Sequence, residues 1–511
     1  MESKKYDVVI LGSGMGGLSC GYILAKEGYK VCILEKNRQL GGSLQIFSRD
    51  KVLFDTGIHY IGGLSEGQNL NSYFKYLGLM DKIKLKQMDM DGFDHITFRG
   101  DPVVYKHAQG YDNFIRVLSE QFPEEKENLV KYCDKIREIC AFFPLYNLSE
   151  ERKDLVMADF LSVDTKAYIE SVTSNVKLQN VLAGTNPLYA GAAGKTPLYV
   201  HALVVNTYIE SSWKCIDGGA QIAKHLSESI RKMGGEIFNY SEASKFHFEE
   251  SLIKSVELTN GKIIEGKYFI SNFDISKTLD MVEPGKIRAA YRNRINSLKN
   301  SISSFMLFIV LKENTMKYFN HNIYHHHDDN VWDGINYQPD NWPHGFALFP
   351  QASSKNLEYT NGLIAMAYMH YDEVKQWEDT KHVIPNIEDN RGEAYEAFKK
   401  DRSERLINII EARMPGLKDK IKSVYTSTPL TYRDYIGSRD GTMYGVEKDY
   451  RDILKTFITP KTKVPNLFLT GQNLNLHGVL GVTVSAVVTC SEIVGQKELM
   501  SKINKFVAEN S

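Results

Sequence analysis

With 62 basic and 63 acidic residues among 511, the chain carries a formal net charge of -1 at pH 7, which excludes a global electrostatic pull toward nucleic acid or an anionic bilayer. Its length supports a sizeable core and two domains. The six cysteines (Cys20, Cys32, Cys133, Cys140, Cys215 and Cys490) form no C-x-x-C pair and read as small core residues of a protein kept reduced. Met1 to Lys5 lead directly into a strand pattern without the apolar core of a signal peptide, and runs such as Phe305 to Leu311 fall far short of the ~20 residues that span a bilayer. The expectation is a cytoplasmic protein that meets lipid, if at all, peripherally from the cytoplasmic face.

The first motif follows at once. Asp7-Val8-Val9-Ile10-Leu11 reads as a strand, Gly12-Ser13-Gly14-Met15-Gly16-Gly17 as a glycine turn opening a helix to Gly28, and Val31 to Leu34 as a second strand that stops at Glu35. Gly12 permits a tight turn, Gly14 lets the backbone approach a pyrophosphate, and Gly17 lets helix and strand pack closely. Unpaired N–H groups at the helix start suit a diphosphate. Glu35, 21 positions after Gly14, suits a ribose diol and repels a 2′-phosphate. After Lys36 comes a second glycine pair, Gly41-Gly42-Ser43, and then Asp55-Thr56-Gly57-Ile58-His59-Tyr60. A pure NAD domain has no need of the second pair. An FAD site does, because the chain must pass close to the phosphates and ribityl tail on its way to the ring.

The segment Tyr6 to Gly62 resembles the FAD-binding start of the phytoene desaturase, carotenoid isomerase and retinol saturase group within the flavin amine oxidase superfamily, and the Asp55 to Tyr60 run resembles its retinol saturase and carotenoid isomerase branch. The resemblance implies an α/β fold: a Rossmann-like FAD-binding domain of the glutathione reductase type, interleaved with an α+β substrate domain that has a large mixed sheet. The expected FAD-binding segments are 1–70, 210–290 and 421–511, and the substrate segments 71–209 and 291–420.

Along the rest of the chain, helices are predicted over Asn71 to Leu79, Tyr111 to Gln121 and Asn128 to Phe143, then over Pro197 to Asn206 after a small-residue stretch, Gly184 to Lys195. Cys215 to Ala220 opens a helix to about Met233, and Lys254 to Thr259 with Lys262 to Ile270 form a hairpin around Asn260-Gly261. In the family this block places Ala243 against the adenine. No second G-x-G-x-x-G unit follows. His321, His325, His326, His327, Asp328 and Asp329 invite a metal reading, but consecutive histidines on a strand point to alternating faces, so a solvated strand end without metal is expected. Asn466 to Asn473, a strand into a loop, and a final helix from Gly478 to about Val494 resemble the last FAD motif, with Asn473 where the family has an acid.

The resemblance assigns cofactor contacts to Gly12, Ser13, Gly14, Gly16, Gly17, Glu35, Lys36, Gly41, Gly42, Ser43, Gly57, Ile58, His59, Ala243, Gly471, Gln472, Gly481, Val482 and Thr483. His59 and Tyr60 are the expected catalytic pair, because protonating a polyene beside a hydride-accepting carbon needs an acid of tunable pKa; the alternative is a buried pair satisfied by backbone groups. The implied activity is FAD-dependent saturation, desaturation or cis/trans isomerisation of a hydrophobic polyene or isoprenoid lipid, with NAD(P)H or a quinone as transient redox partner. Two alternatives keep the fold: a flavin amine or amino-acid oxidase, for which the chain shows no cage motif, and a non-catalytic lipid escort resembling the GDP dissociation inhibitors, against which the intact Gly12, Gly14, Gly17 and Glu35 argue.

Overall fold

The apolar run that opens the chain is hydrophobic on both faces because both are covered. In the computed structural model, which describes residues 5–150, 159–327, 329–381, 391–474 and 476–510, strand β1 (Lys5–Leu11) lies between β2 (Val31–Leu34) and the strand Ile263–Ser271, parallel to both. Val8, Val9 and Ile10 are fully buried there, as expected inside a parallel sheet. Glu236–Phe238 pairs parallel beyond β2, Leu467–Leu469 pairs parallel with Ile263–Ser271, and the strands Leu252–Leu258 and Ala243–Glu249 continue the sheet antiparallel. Helix α1 (Met15–Lys26) joins β1 to β2. Strands more than 200 residues apart in sequence thus complete one seven-stranded sheet.

A second seven-stranded sheet runs in the order Ile421–Ser427, Ser303–Leu311, Gly362–Met369, Gly345–Pro350, Asn322–His326, Asp94–Phe98 and Tyr105–His107. It is mixed: Asn322–His326 pairs parallel with Asp94–Phe98, and the other neighbours are antiparallel. All nine residues of Ser303–Leu311 are buried. Among the described residues no helix is long and apolar enough to cross a membrane.

Three expectations need correction. The strand Ile421–Ser427 belongs to this second sheet, paired with Ser303–Leu311, so the boundary expected at 421 falls after Ser427. The helix Gly478–Val494 is not the last, because Gln496–Glu509 follows it across Gly495. The histidine strand is not solvated: Asn322–His326 is an interior strand, and His325 and His326 are buried, held by Thr97 Oγ1 and the Gly184 carbonyl respectively. Asp328 lies outside the described residues, and among those described no cluster of three metal-ligating side chains forms.

Candidate functional site

Four parallel strands end at one crevice. Leu11 is followed by Gly12, Leu34 by Glu35, Ser271 by Asn272 and Leu469 by Thr470, and all four following residues line the same cavity. The carboxyl ends of parallel strands are where open α/β sheets bind ligands. Gly12 takes a positive φ of 93°, and a Cβ placed on Gly17 would lie 2.0 Å from the Gly12 carbonyl oxygen, so the turn and the helix–strand approach both require glycine. No side chain caps α1 at Gly14. Its first N–H groups are therefore open to an anion. Asn272 closes the cradle from below; added Cβ atoms on Gly16 and Gly471 would each come within 2.6 Å of its Oδ1.

Glu35, at the end of β2, is held by three hydrogen bonds. Its Oε2 accepts the Ser13 N–H at 2.9 Å and the Ser13 hydroxyl at 2.6 Å, and its Oε1 accepts the Asn37 N–H at 2.8 Å. Beside it, Lys36 Nζ donates to the Asp434 carbonyl at 2.7 Å and Lys277 Nζ to the Gly437 carbonyl at 2.8 Å, while Asn37 Nδ2 donates to the Tyr435 carbonyl at 2.8 Å. The helix Pro429–Tyr435 and the turn that follows it are thereby tied over this end of the crevice. Burial, and then the charge of Lys277, lower the Lys36 pKa.

The other end of the cavity opens into a chamber walled by Tyr146, Leu188, Leu203, Val204, Tyr208, Tyr324, Phe349, Met366, Tyr432, Met443, Tyr444 and His477. His59 and Tyr60 stand between cradle and chamber. The His59 ring stacks on Phe349 with centroids 4.3 Å apart, and its Nδ1 is buried without a hydrogen-bond partner. Burial, with Lys214 adding to it, lowers the His59 pKa to about 3. Tyr60 is not satisfied by backbone groups: its hydroxyl donates to Asp94 Oδ2 at 2.8 Å and lies 2.8 Å from the Tyr324 hydroxyl. Burial, and then the adjacent Asp94, raise its pKa well above the usual phenol value.

Of the residues singled out from the sequence, Gly12, Gly14, Gly16, Glu35, Lys36, Gly41, Gly42, Ser43, Gly57, Ile58, His59, Tyr60, Ala243, Gly471, Gln472, Gly481 and Val482 line the cavity, whereas Ser13, Gly17 and Thr483 stand behind its surface. Thr483 Oγ1 turns back to the Val479 carbonyl of its own helix. Sequence reasoning missed Asn272, Tyr208, Tyr324, Phe349, Tyr444 and His477. Only Asn272 had a local signal, as the residue after a parallel strand; the aromatic residues arrive from separate strands and helices.

The residues fit a dinucleotide with an extended tail: a glycine cradle that no side chain may enter, an uncapped helix start, an anchored acid at the end of the second strand and a buried imidazole nitrogen without a partner. The chain matches the NAD(P)-binding Rossmann-like domain model over residues 10–77. It superposes on putrescine oxidase with a TM-score of 0.65 at 12% identity, covering 98% of this chain and 99% of that one. Fold and site thus define an α/β protein that shares the fold of putrescine oxidase and carries a Rossmann-like dinucleotide-binding unit. More particularly, the chain is a homologue of all-trans-retinol 13,14-reductase from Homo sapiens, 26% identical over 98% of this chain and 88% of the relative. It is likewise a homologue of the chloroplastic prolycopene isomerase from Arabidopsis thaliana, 24% identical over 97% and 84%.

Proposed function

We propose that the chain binds FAD along the crevice and acts on carbon–carbon double bonds of a retinoid- or carotenoid-like polyene, by saturation, desaturation or cis/trans isomerisation. The observation that carries this reading is the chamber wall. Its aromatic and aliphatic side chains suit a long apolar chain, and among the described residues lining it there is no carboxylate to receive an ammonium. The charged lining residues, Glu35, Lys36, Glu242, Asp274 and Lys277, gather at the ribose end. The names of both relatives concern polyenes, which favours this substrate class over an amine. When bound, FAD supplies hydride transfer, with NAD(P)H or a quinone as the external electron partner.

Gly12, Gly14 and the start of α1 would hold the pyrophosphate, Glu35 the ribose, and Gly471, Gln472, Gly481 and Val482 the far side of the cofactor. His59 stays neutral throughout the neutral range, so it serves as a polar contact to the ring system or substrate and not as a cationic acid. Tyr60 is the group placed to hold a proton. Tyr60→Phe should slow polyene-dependent flavin turnover by about 10²-fold and His59→Ala should slow it less, both with flavin content unchanged. Wild-type turnover in both variants would reduce the pair to packing residues, and loss of flavin would make them cofactor supports. Mass spectrometry of small molecules co-purifying with the protein tests the substrate class directly.

A further inference from the structure

Behind the chamber wall lies a hydrogen-bonded polar chain that the sequence did not disclose. Asp94, Tyr324 and Tyr60 are all buried, and of the three only Tyr60 and Tyr324 line the cavity. Asp94 Oδ2 accepts the Tyr60 hydroxyl at 2.8 Å, Asp94 Oδ1 accepts Asn322 Nδ2 at 2.8 Å, and the two phenol oxygens are 2.8 Å apart. The row Asp94–Tyr60–Tyr324 therefore leads from the interior to the chamber through direct hydrogen bonds. It is assembled by register: Asn322 pairs with Asp94 across parallel strands, and Tyr324, two residues on, shares the face of Asn322.

Resting on the polyene reading above, we propose that Asp94 is a positioning residue that sets the direction of this row and replenishes the proton that Tyr324 delivers to substrate carbon. Each hydroxyl has one hydrogen to donate. With Asp94 ionised, Tyr60 donates to the carboxylate and Tyr324 donates to Tyr60, so neither hydrogen faces the chamber. With Asp94 protonated, the order reverses: Asp94 donates to Tyr60, Tyr60 to Tyr324, and the Tyr324 hydrogen is free to point inward. In the saturating direction FAD, when bound and reduced, would supply the hydride, with its electron pair, to one carbon of the double bond. The neighbouring carbon forms its C–H bond with the Tyr324 proton as that O–H bond breaks. Tyr324 regains a proton from Tyr60 and Tyr60 from Asp94, which is left ionised until a proton returns along the same row from the chamber end.

The surroundings make both states of Asp94 accessible. Lys214 faces it from the strand Ser212–Cys215, Tyr208 from the helix Leu198–Glu210, and His107 from the neighbouring strand. Burial raises Asp94 to about 7, opposed by the hydrogen bonds of Asn322 and Tyr60 and the charge of Lys214. Burial also lowers Lys214 to about 7 and holds His107 at about 4, so His107 adds no charge in the neutral range. A carboxyl close to neutrality can give and regain a proton in each turnover.

The test uses the FAD-loaded protein and has two readouts. Infrared titration of wild type should show a protonated-carboxyl carbonyl band disappearing with a midpoint near pH 7, and Asp94→Asn should remove that contribution while leaving that of Asp55, which also titrates at about 7. In polyene turnover, the wild-type rate should fall as pH rises through the same midpoint, whereas Asp94→Asn should lower kcat by about 10-fold or more and flatten the profile. Tyr324→Phe should lower kcat but keep the infrared band. If Asp94→Asn does not fold, Tyr60→Phe, which cuts the row without changing its shape, should give the same flat profile with the band retained. A wild-type pH profile in Asp94→Asn, or in Tyr60→Phe in its place, overturns the proposal, as does an Asp94 that stays ionised down to about pH 5. An intact Asp94 band in a protein that turns over no polyene overturns the substrate reading and supports the hydrogen-bonded row.

Discussion

Gly17→Ala tests the cradle with the smallest possible change. The new methyl carbon would sit 2.0 Å from the Gly12 carbonyl oxygen, so α1 and the Gly12 turn must separate by roughly 1 Å before the contact becomes tolerable, at a cost of about 1–3 kcal/mol in stability. The same movement carries the first N–H groups of α1 away from the pyrophosphate. Losing two hydrogen bonds to a charged group, each worth about 1.5–3 kcal/mol, would weaken flavin binding by about 10² to 10⁴-fold. Gly21→Ala is the control, since its Cβ would meet only the tips of Ile33 at 2.7 Å and Ile230 at 3.2 Å, both side chains that can turn aside. Flavin-to-protein absorbance ratios, flavin titration of the apoprotein and thermal melts of both variants provide the measurement. Wild-type flavin affinity in Gly17→Ala, or equal losses in the two variants, would refute the reasoning that backbone contact at Gly12 sets the site.

Acid should destabilise the protein at pH values above the ordinary carboxylate range. His107, His201 and His326, with His59 and His477, are held in the interior with pKa values lowered to about 3–4 mainly by burial. Free histidine titrates near 6.5, so the unfolded chain binds more protons between about 4 and 6.5 and stability is lost as pH falls through that window, each unbalanced proton contributing about 1.4 kcal/mol per pH unit. Asp55 and Asp94, raised to about 7 by burial, act in the opposite sense but are fewer. Urea midpoints at pH 7 and 5.5 check this, and a higher midpoint at 5.5 would contradict it. Arg391→Ala takes the 2.5 Å partner from Asp434 Oδ2 at a site where both side chains are buried, while Arg433 stays 2.8 Å from Oδ1, and should cost about 1.5–3 kcal/mol. Because the Asp434 carbonyl also holds Lys36, flavin affinity measured in the same variant should fall; unchanged affinity would show that this tie does not secure the ribose end.

The sequence by itself determined the dinucleotide unit, because every requirement there is local: Gly12, Gly14, Gly17 and Glu35 must occur at fixed spacing around two strands and a helix, and such spacing is visible in one dimension. It also placed the hairpin around Asn260-Gly261, which the structure forms from Leu252–Leu258 and Ile263–Ser271, since Asn-Gly fixes a two-strand turn. The histidine run defeated the same reasoning. Alternation on a strand says which side chains share a face, but only the strand's neighbours decide whether either face meets water, and Asn322–His326 has neighbours on both sides. The chamber was equally hidden, because Tyr60, Asp94, Tyr208, Tyr324 and Phe349 come from separate elements and carry no common spacing. Their meeting depends on sheet register, with Asn322 opposite Asp94 and Tyr324 two residues further on, and a shift of one residue would turn Tyr324 away from Tyr60. Tertiary structure alone also decided their protonation, since burial is what raises Asp94 and Tyr60 and lowers His59 and Lys214.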